Sequence, residues 1–137
     1  MSVSQPAGYS GKPLWEKLGI AEGCSVAVNR EPRELARWLS NAPGFICLPL
    51  DDPTSSDISL IFCTESVQIV PDFEARAGHT NPGGCIWVCW PKKSSKVATD
   101  ITEQTLRDLL LPLGWVDTKV CAVSDIWSGL KFLRRRV

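Results

Sequence analysis

The densest apolar stretch of the chain, Cys85-Ile86-Trp87-Val88-Cys89-Trp90, contains no polar position, so it predicts a strand covered on both faces. Three runs before it also read as strands: Cys24-Ser25-Val26-Ala27-Val28, Phe45-Ile46-Cys47-Leu48, and Asp57-Ile58-Ser59-Leu60-Ile61-Phe62-Cys63. The first two are expected to be short buried strands. Thr118 to Val123 and Leu130 to Leu133 predict two more strands after it. Between these runs the spacing changes to that of helices. Leu14, Trp15 and Leu18 make one stripe between Pro13 and Gly19, and Leu35, Ala36, Trp38 and Leu39 make another after Pro32. Residues 65 to 77 are a helix candidate that Pro71 must kink or split. Ile101, Leu106, Leu109 and Leu110 form the inward side of a helix over about residues 101–111. Asp100, with Glu103 three residues on, is placed to cap that helix.

Strands alternating with helices, then two strands joined by the short segment Ser124 to Gly129, predict an α/β fold. The expected architecture is a single-domain three-layer Rossmann-like sandwich, its sheet mostly parallel with a C-terminal antiparallel hairpin. Residues 1–12 are polar and turn-rich and read as a loose N-terminal arm, with one domain over residues 13–137. On the central strand, Trp87 and Trp90 must point to opposite faces. Cys85 and Cys89 share a face, but at ordinary strand rise they lie roughly 13 Å apart, too far to hold one ion.

Composition narrows the function more by exclusion than by indication. The 137 residues carry 15 basic and 15 acidic side chains, so no net field draws the chain to nucleic acid or to a membrane surface. No apolar run reaches the roughly 18 residues of a membrane span. The first residues have neither the basic start nor the apolar core of a secretory signal, and a cytoplasmic location is expected. Six cysteines sit almost all within the apolar runs, where they behave as small hydrophobes rather than a disulfide framework.

Candidate chemistry gathers after the central strand. Lys92, Lys93, Ser94, Ser95, Lys96 and Thr99 lie between a strand end and a helix start, where unpaired backbone N–H groups favour an anion. Trp90, at the strand exit, could stack on a base, and Asp100 closes the stretch. The predicted ligand is an anionic small molecule such as a phosphate or nucleotide, or else a protein partner, with no cofactor specified and no oligomeric state implied. The same residues also read as a solvated connection, because neither a P-loop nor a Gly-x-Gly-x-x-Gly turn is present. No nucleophile elbow occurs, and His79 is the only histidine. An enzymatic reading would use Asp100 or His79 as acid or base. Asp51, Asp52 and Asp57 read as turn residues.

Several of these segments resemble a family of small bacterial proteins known as domain of unknown function 3052. The resemblance runs through Pro82 to Lys93, Val97 to Thr102, Leu113 to Val123 and Trp127 to Phe132, and in the N-terminal part through Gly8 to Leu14 and Lys17 to Ile20. It implies a bacterial cytosolic protein without assigning it a reaction. The order of turn, strand, helix and terminal hairpin over Pro82 to Phe132 also resembles class I methyltransferases. That likeness implies a glycine-rich turn after the first strand, where this chain has Val28-Asn29-Arg30-Glu31-Pro32. It also implies an acid closing the second strand, which here ends in Leu48-Pro49-Leu50. The resulting expectation is a non-catalytic binding or regulatory domain on a retained scaffold. A divergent transferase and a self-associating structural subunit are the alternatives.

Overall fold

The computed structural model describes residues 11 to 136. They form one six-stranded sheet in the order β2-β1-β3-β4-β6-β5, with β1 at Ser25–Asn29, β2 at Ile46–Pro49, β3 at Ser56–Phe62, β4 at Thr80–Pro91, β5 at Trp115–Ala122 and β6 at Trp127–Arg134. β1 pairs in parallel with β2 and β3, and β3 with β4, while β6 runs antiparallel to both β4 and β5. The chain therefore has the expected α/β architecture, a mostly parallel sheet ending in an antiparallel hairpin. Most of the arm assigned to residues 1–12 lies outside the described residues.

Four helices cover the two faces: α1 Leu14–Leu18, α2 Leu35–Trp38, α3 Ile69–Ala77 and α4 Glu103–Leu110. The alternation of β4 divides the core. Trp87 and Cys89 pack with Leu14, Leu18, Val26, Leu35 and Phe62 on one side. Ile86, Val88 and Trp90 pack with Ile69, Phe73, Leu106, Trp115 and Phe132 on the other. The buried Trp87 indole donates to the Leu18 carbonyl at 3.2 Å, tying α1 to the central strand. On the opposite face the Phe73 ring meets Trp115 and Phe132 edge-on at 5.0 and 5.8 Å. Burial of this kind contributes about 1.5–3 kcal/mol for each large apolar side chain, which is why the sheet centre is the most apolar part of the sequence.

Several local expectations are corrected. β2 was expected to be buried but is the sheet edge, with Ile46 56% exposed, because an apolar run does not reveal whether a strand has one neighbour or two. The helix expected after Pro32 is a single turn, and only Leu35 and Leu39 of its stripe are buried. Pro71 splits the 65–77 segment into a 3-10 turn, Ser66–Gln68, and α3. The proline itself sits in the first turn of α3, where the N–H it lacks would have had no helical partner. Thr102, not Asp100, caps α4: its hydroxyl accepts the Thr105 N–H at 3.2 Å and Thr105 answers at the Thr102 N–H at 3.0 Å. The Pro82–Gly84 turn lies within β4, whose register with β3 jumps from Ser56↔Thr80 to Ile58↔Cys85, so the intervening residues bulge out of the ladder. Among the described residues no helix is long and apolar enough to cross a membrane.

Candidate functional site

β1 has β2 on one side and β3 on the other, so the direction in which the sheet grows reverses there. In open α/β sheets the crevice at such a reversal, outside the carboxyl ends of the strands, is where ligands bind. Asn29 closes β1, and its side-chain amide donates to Asp72 Oδ2 at 2.9 Å. The next residue, Arg30, turns the chain at φ 54°, a left-handed conformation that side-chain-bearing residues rarely adopt. Its guanidinium forms an ion pair with the same Asp72 oxygen. Asp72 projects from the first turn of α3 and is 7% exposed. The Cys63 thiol, just past β3, lies 4.0 Å from that carboxylate. The reversal point is thus bridged by protein side chains.

On the β2 side the crevice stays open. A depression of about 650 Å³ is lined by Asn29, Glu31, Cys47, Leu48, Leu50 and Asp51 among others. Two of its lining residues, Glu31 and Asp51, are acidic, and Val28, Leu48, Pro49 and Leu50 are apolar. Burial, with the charge of Glu31 adding to it, raises the Cys47 thiol above its ordinary value. No acid closes β2, which ends at Pro49, but Asp51 lies two residues beyond it and about 20 beyond β1. That is the spacing at which a dinucleotide fold holds an acid for ribose hydroxyls.

Arg76 is fully buried on α3. One terminal nitrogen donates to the Leu50 and Asp52 carbonyls at 3.1 and 2.7 Å. The other donates to the Thr54 and His79 carbonyls at 2.8 and 3.1 Å and to the Ser56 hydroxyl at 3.0 Å. The β2–β3 connection, including the residues flanking Asp51, is therefore wound around one guanidinium. Burial lowers the pKa of Arg76, with the charge of Asp52 acting against that shift. The Asp52 carboxyl is itself held low, chiefly by the Thr54 N–H.

The loop picked out from the sequence lies at the carboxyl end of β4, and the structure uses much of its hydrogen-bonding capacity internally. Trp90 is 7% exposed and packed in the core. The Lys92 N–H donates to the Ile126 carbonyl at 2.7 Å. The Ser95 hydroxyl donates to the Lys92 carbonyl at 2.6 Å and accepts the Val97 N–H at 3.2 Å, and Thr99 Oγ1 accepts the Ile101 N–H at 3.1 Å. Asp100 accepts from the Ser66 N–H and hydroxyl at 2.7 and 2.6 Å, contacts that lower its pKa and commit it to holding the two loops together. Lys93, Ser94 and Lys96 remain exposed. His79 lies before β4, at the opposite end of the sheet from Asp100, so the two candidate acid–base groups are not brought together. Asp57 is no solvated turn residue either. It accepts the Ser25 and Asn81 N–H groups at 3.0 and 2.9 Å, clamping the amino end of β3 to its neighbours.

All six cysteines are free. Burial raises the thiols of Cys63 to about 12 and Cys85 to about 11, so neither is an activated nucleophile. Among the described residues no group of three or more His, Cys, Asp or Glu side chains could hold a metal ion.

No protein-family model matches the sequence, and a comparison with curated proteins finds no relative. In structure the chain is similar to a SAM-dependent methyltransferase from Aquifex aeolicus, with TM-score 0.63 and 11% identity over 87% of this chain and 86% of that one. It is also similar to magnesium protoporphyrin IX methyltransferase from Synechocystis PCC 6803 with bound SAH, with TM-score 0.61 and 8% identity over 88% and 78%. A third likeness is to LepI in complex with SAH and a substrate analogue, with TM-score 0.61 and 11% identity over 98% of this chain but 50% of that one. The chain thus spans about half the length of LepI. These likenesses define the fold as a methyltransferase-like Rossmann sandwich. At such identities they define the fold alone.

Proposed function

We propose that the protein is a small-molecule binding domain that takes a nucleoside in the depression at the carboxyl ends of β1 and β2. The observation that carries the reading is that one depression is lined both by the carboxylates Glu31 and Asp51 and by the apolar Val28, Leu48 and Leu50. Carboxylates at that position accept hydrogen bonds from ribose hydroxyls, and apolar side chains take the face of a base. The neighbours that hold SAH or SAM make adenosine the first nucleoside to try. S-adenosylmethionine itself fits this chain only in part. The nucleoside half finds the depression, whereas the turn after β1 carries the Arg30–Asp72 pair in place of a glycine loop that a ligand could approach closely. No methyl-transfer step is derived on that basis, and the function is read as binding or regulation.

The test is calorimetric titration with adenosine and 5′-methylthioadenosine, backed by thermal shift. A ligand at a hundred times its Kd adds about 2.7 kcal/mol, several degrees for a domain of this size. Glu31→Gln and Asp51→Asn should weaken binding about tenfold or more, the loss expected when a polar ligand group forfeits its partner, and leave the free protein's Tm unchanged. Binding unaffected by both replacements would overturn the site.

A second reading, a divergent methyltransferase, is favoured by the extent of the fold likeness, which covers 87% of this chain. Methyl transfer from labelled S-adenosylmethionine to any acceptor in a small-molecule panel would establish it. The exposed lysines of the 92–99 loop are a separate proposal for an anionic ligand or a protein partner. Alanine at Lys92, Lys93 and Lys96 should abolish binding of inorganic phosphate without lowering the Tm. Membership of the domain of unknown function 3052 family, with its bacterial and cytoplasmic setting, is likewise proposed on the segments that resemble it.

A further inference from the structure

Given a nucleoside in the depression, an inference that rests on the reading above, we infer that the Arg30–Asp72 pair is a specificity element. It restricts the ligand to neutral nucleosides and excludes those that carry a charged extension at the ribose 5′ position. With the ribose held near Asp51, a 5′ substituent leads across Asn29 toward the turn after β1, because the Rossmann arrangement puts that turn against the charged part of the ligand.

In this chain each feature that would receive such a charge is replaced. The turn contains no glycine, and Arg30 occupies the left-handed position that glycine would adopt without strain. Its guanidinium pairs with Asp72, to which the Asn29 amide also donates, so the end of β1 and the first turn of α3 are joined by a group with no net charge. The helix that follows offers an anion nothing. α2 is four residues long and begins after Glu34, whose side chain makes no capping bond. Glu31 and Asp51 in the depression repel a phosphate. An α-amino-acid tail meets a different obstacle. Its ammonium would need the Asp72 carboxylate, and that carboxylate is buried and already engaged with Arg30 and Asn29.

The experiment compares 5′-methylthioadenosine, S-adenosylhomocysteine and AMP by calorimetry on the wild-type protein and on Arg30→Gly. The glycine suits the backbone at φ 54° and frees Asp72. The wild-type protein should bind 5′-methylthioadenosine at least about tenfold more tightly than S-adenosylhomocysteine, and AMP more weakly still, specificity being the difference between these affinities. In Arg30→Gly the preference over S-adenosylhomocysteine should shrink by about tenfold while AMP remains excluded, since Glu31 and Asp51 are untouched. Arg30→Lys keeps the charge pair and should keep the preference. Equal binding of the nucleoside and S-adenosylhomocysteine by the wild-type protein overturns the inference while leaving the site standing, a result that needs no variant to fold. An unchanged ratio in Arg30→Gly also overturns it. Failure of all three ligands on both proteins instead rejects the nucleoside site itself, and the inference with it.

Discussion

Replacing Arg76 tests how the connection that carries Asp51 is built. The guanidinium is fully buried, with five hydrogen bonds to four carbonyls and one hydroxyl. Hydrogen bonds to a charged group stabilise by about 1.5–3 kcal/mol each, so five set a gross value on the order of 7–15 kcal/mol. Arg76→Met keeps most of the side-chain volume and removes every bond. It also removes a buried charge, which returns several kcal/mol. The carbonyls of Leu50, Asp52 and Thr54 lie on a connection open enough to rehydrate. Ser56 keeps the Ser59 hydroxyl at 3.2 Å, and the His79 carbonyl keeps the Ser56 N–H at 2.9 Å. The net loss expected is therefore about 3–5 kcal/mol, at the upper end for a single substitution, or roughly 10–20 °C in Tm. Arg76→Lys should still cost about 2 kcal/mol, because a compact, strongly hydrated ammonium cannot span acceptors spread over the Leu50–His79 cage. Urea unfolding followed by tryptophan fluorescence measures both, with an unchanged m-value as the check that the unfolded state is the same. A loss under about 1 kcal/mol in Arg76→Met would refute the staple, since a single neutral hydrogen bond contributes that much.

The remaining predictions are simpler. Asp57 has a lowered pKa, first because of the Ser25 N–H and then the Asn81 amide, so its contribution is complete above the unfolded value near 3.9 and disappears as pH falls through the lower folded value. Urea midpoints should therefore fall below about pH 4, and Asp57→Asn should flatten that decline while lowering the midpoint at pH 7. Thr102→Ala should cost about 1 kcal/mol through loss of the α4 cap, read from the urea midpoint. Gly84→Ala places a Cβ 2.8 Å from the Asp57 carbonyl and 2.9 Å from that of Asn81, so it should destabilise by about 1–3 kcal/mol. At Gly78 an added Cβ meets nothing within 4 Å, and alanine there should be tolerated. Timed labelling with a disulfide reagent should modify Cys47 first, Cys24 more slowly, and the four buried thiols only at the rate of unfolding.

What could be read from the sequence divides along a physical line. β4 was legible because a strand covered on both faces leaves an unbroken apolar run, and its period of two assigned Trp87 and Trp90 to opposite faces. The hairpin was legible because so short a joint leaves the chain no room for a crossover. Edge position was not, since Phe45-Ile46-Cys47-Leu48 has the same local pattern whether or not another strand lies beside it. The site was the least visible part. Arg30 and Asp72 are far apart in sequence and meet only because β1 and α3 converge at the sheet reversal. Arg76 stands on a helix where a basic residue reads as solvent-facing, and only its own complete burial in the folded chain shows otherwise. The missing glycine after β1 was visible, but its meaning was not. Asp51 was passed over because the acid was sought at the last residue of the strand rather than two residues later.

Arg30 and Asp72 hold each other in place, and this is why closure of the crevice need not be counted as damage to the scaffold. A carboxylate as buried as Asp72 requires a cation or several donors, and removing one member of such a pair leaves the other charge uncompensated. A ligand with its own cation would meet the same requirement. The requirement of the buried carboxylate can therefore be met from inside the chain or by a ligand. Here it is satisfied from inside, while Glu31, next to Arg30 in the chain, and Asp51 line the open depression. The two halves of the crevice thus have opposite status, one closed by an internal ion pair and one open and acidic. That asymmetry is the ground on which a neutral nucleoside, rather than a charged conjugate of one, is the ligand class we propose.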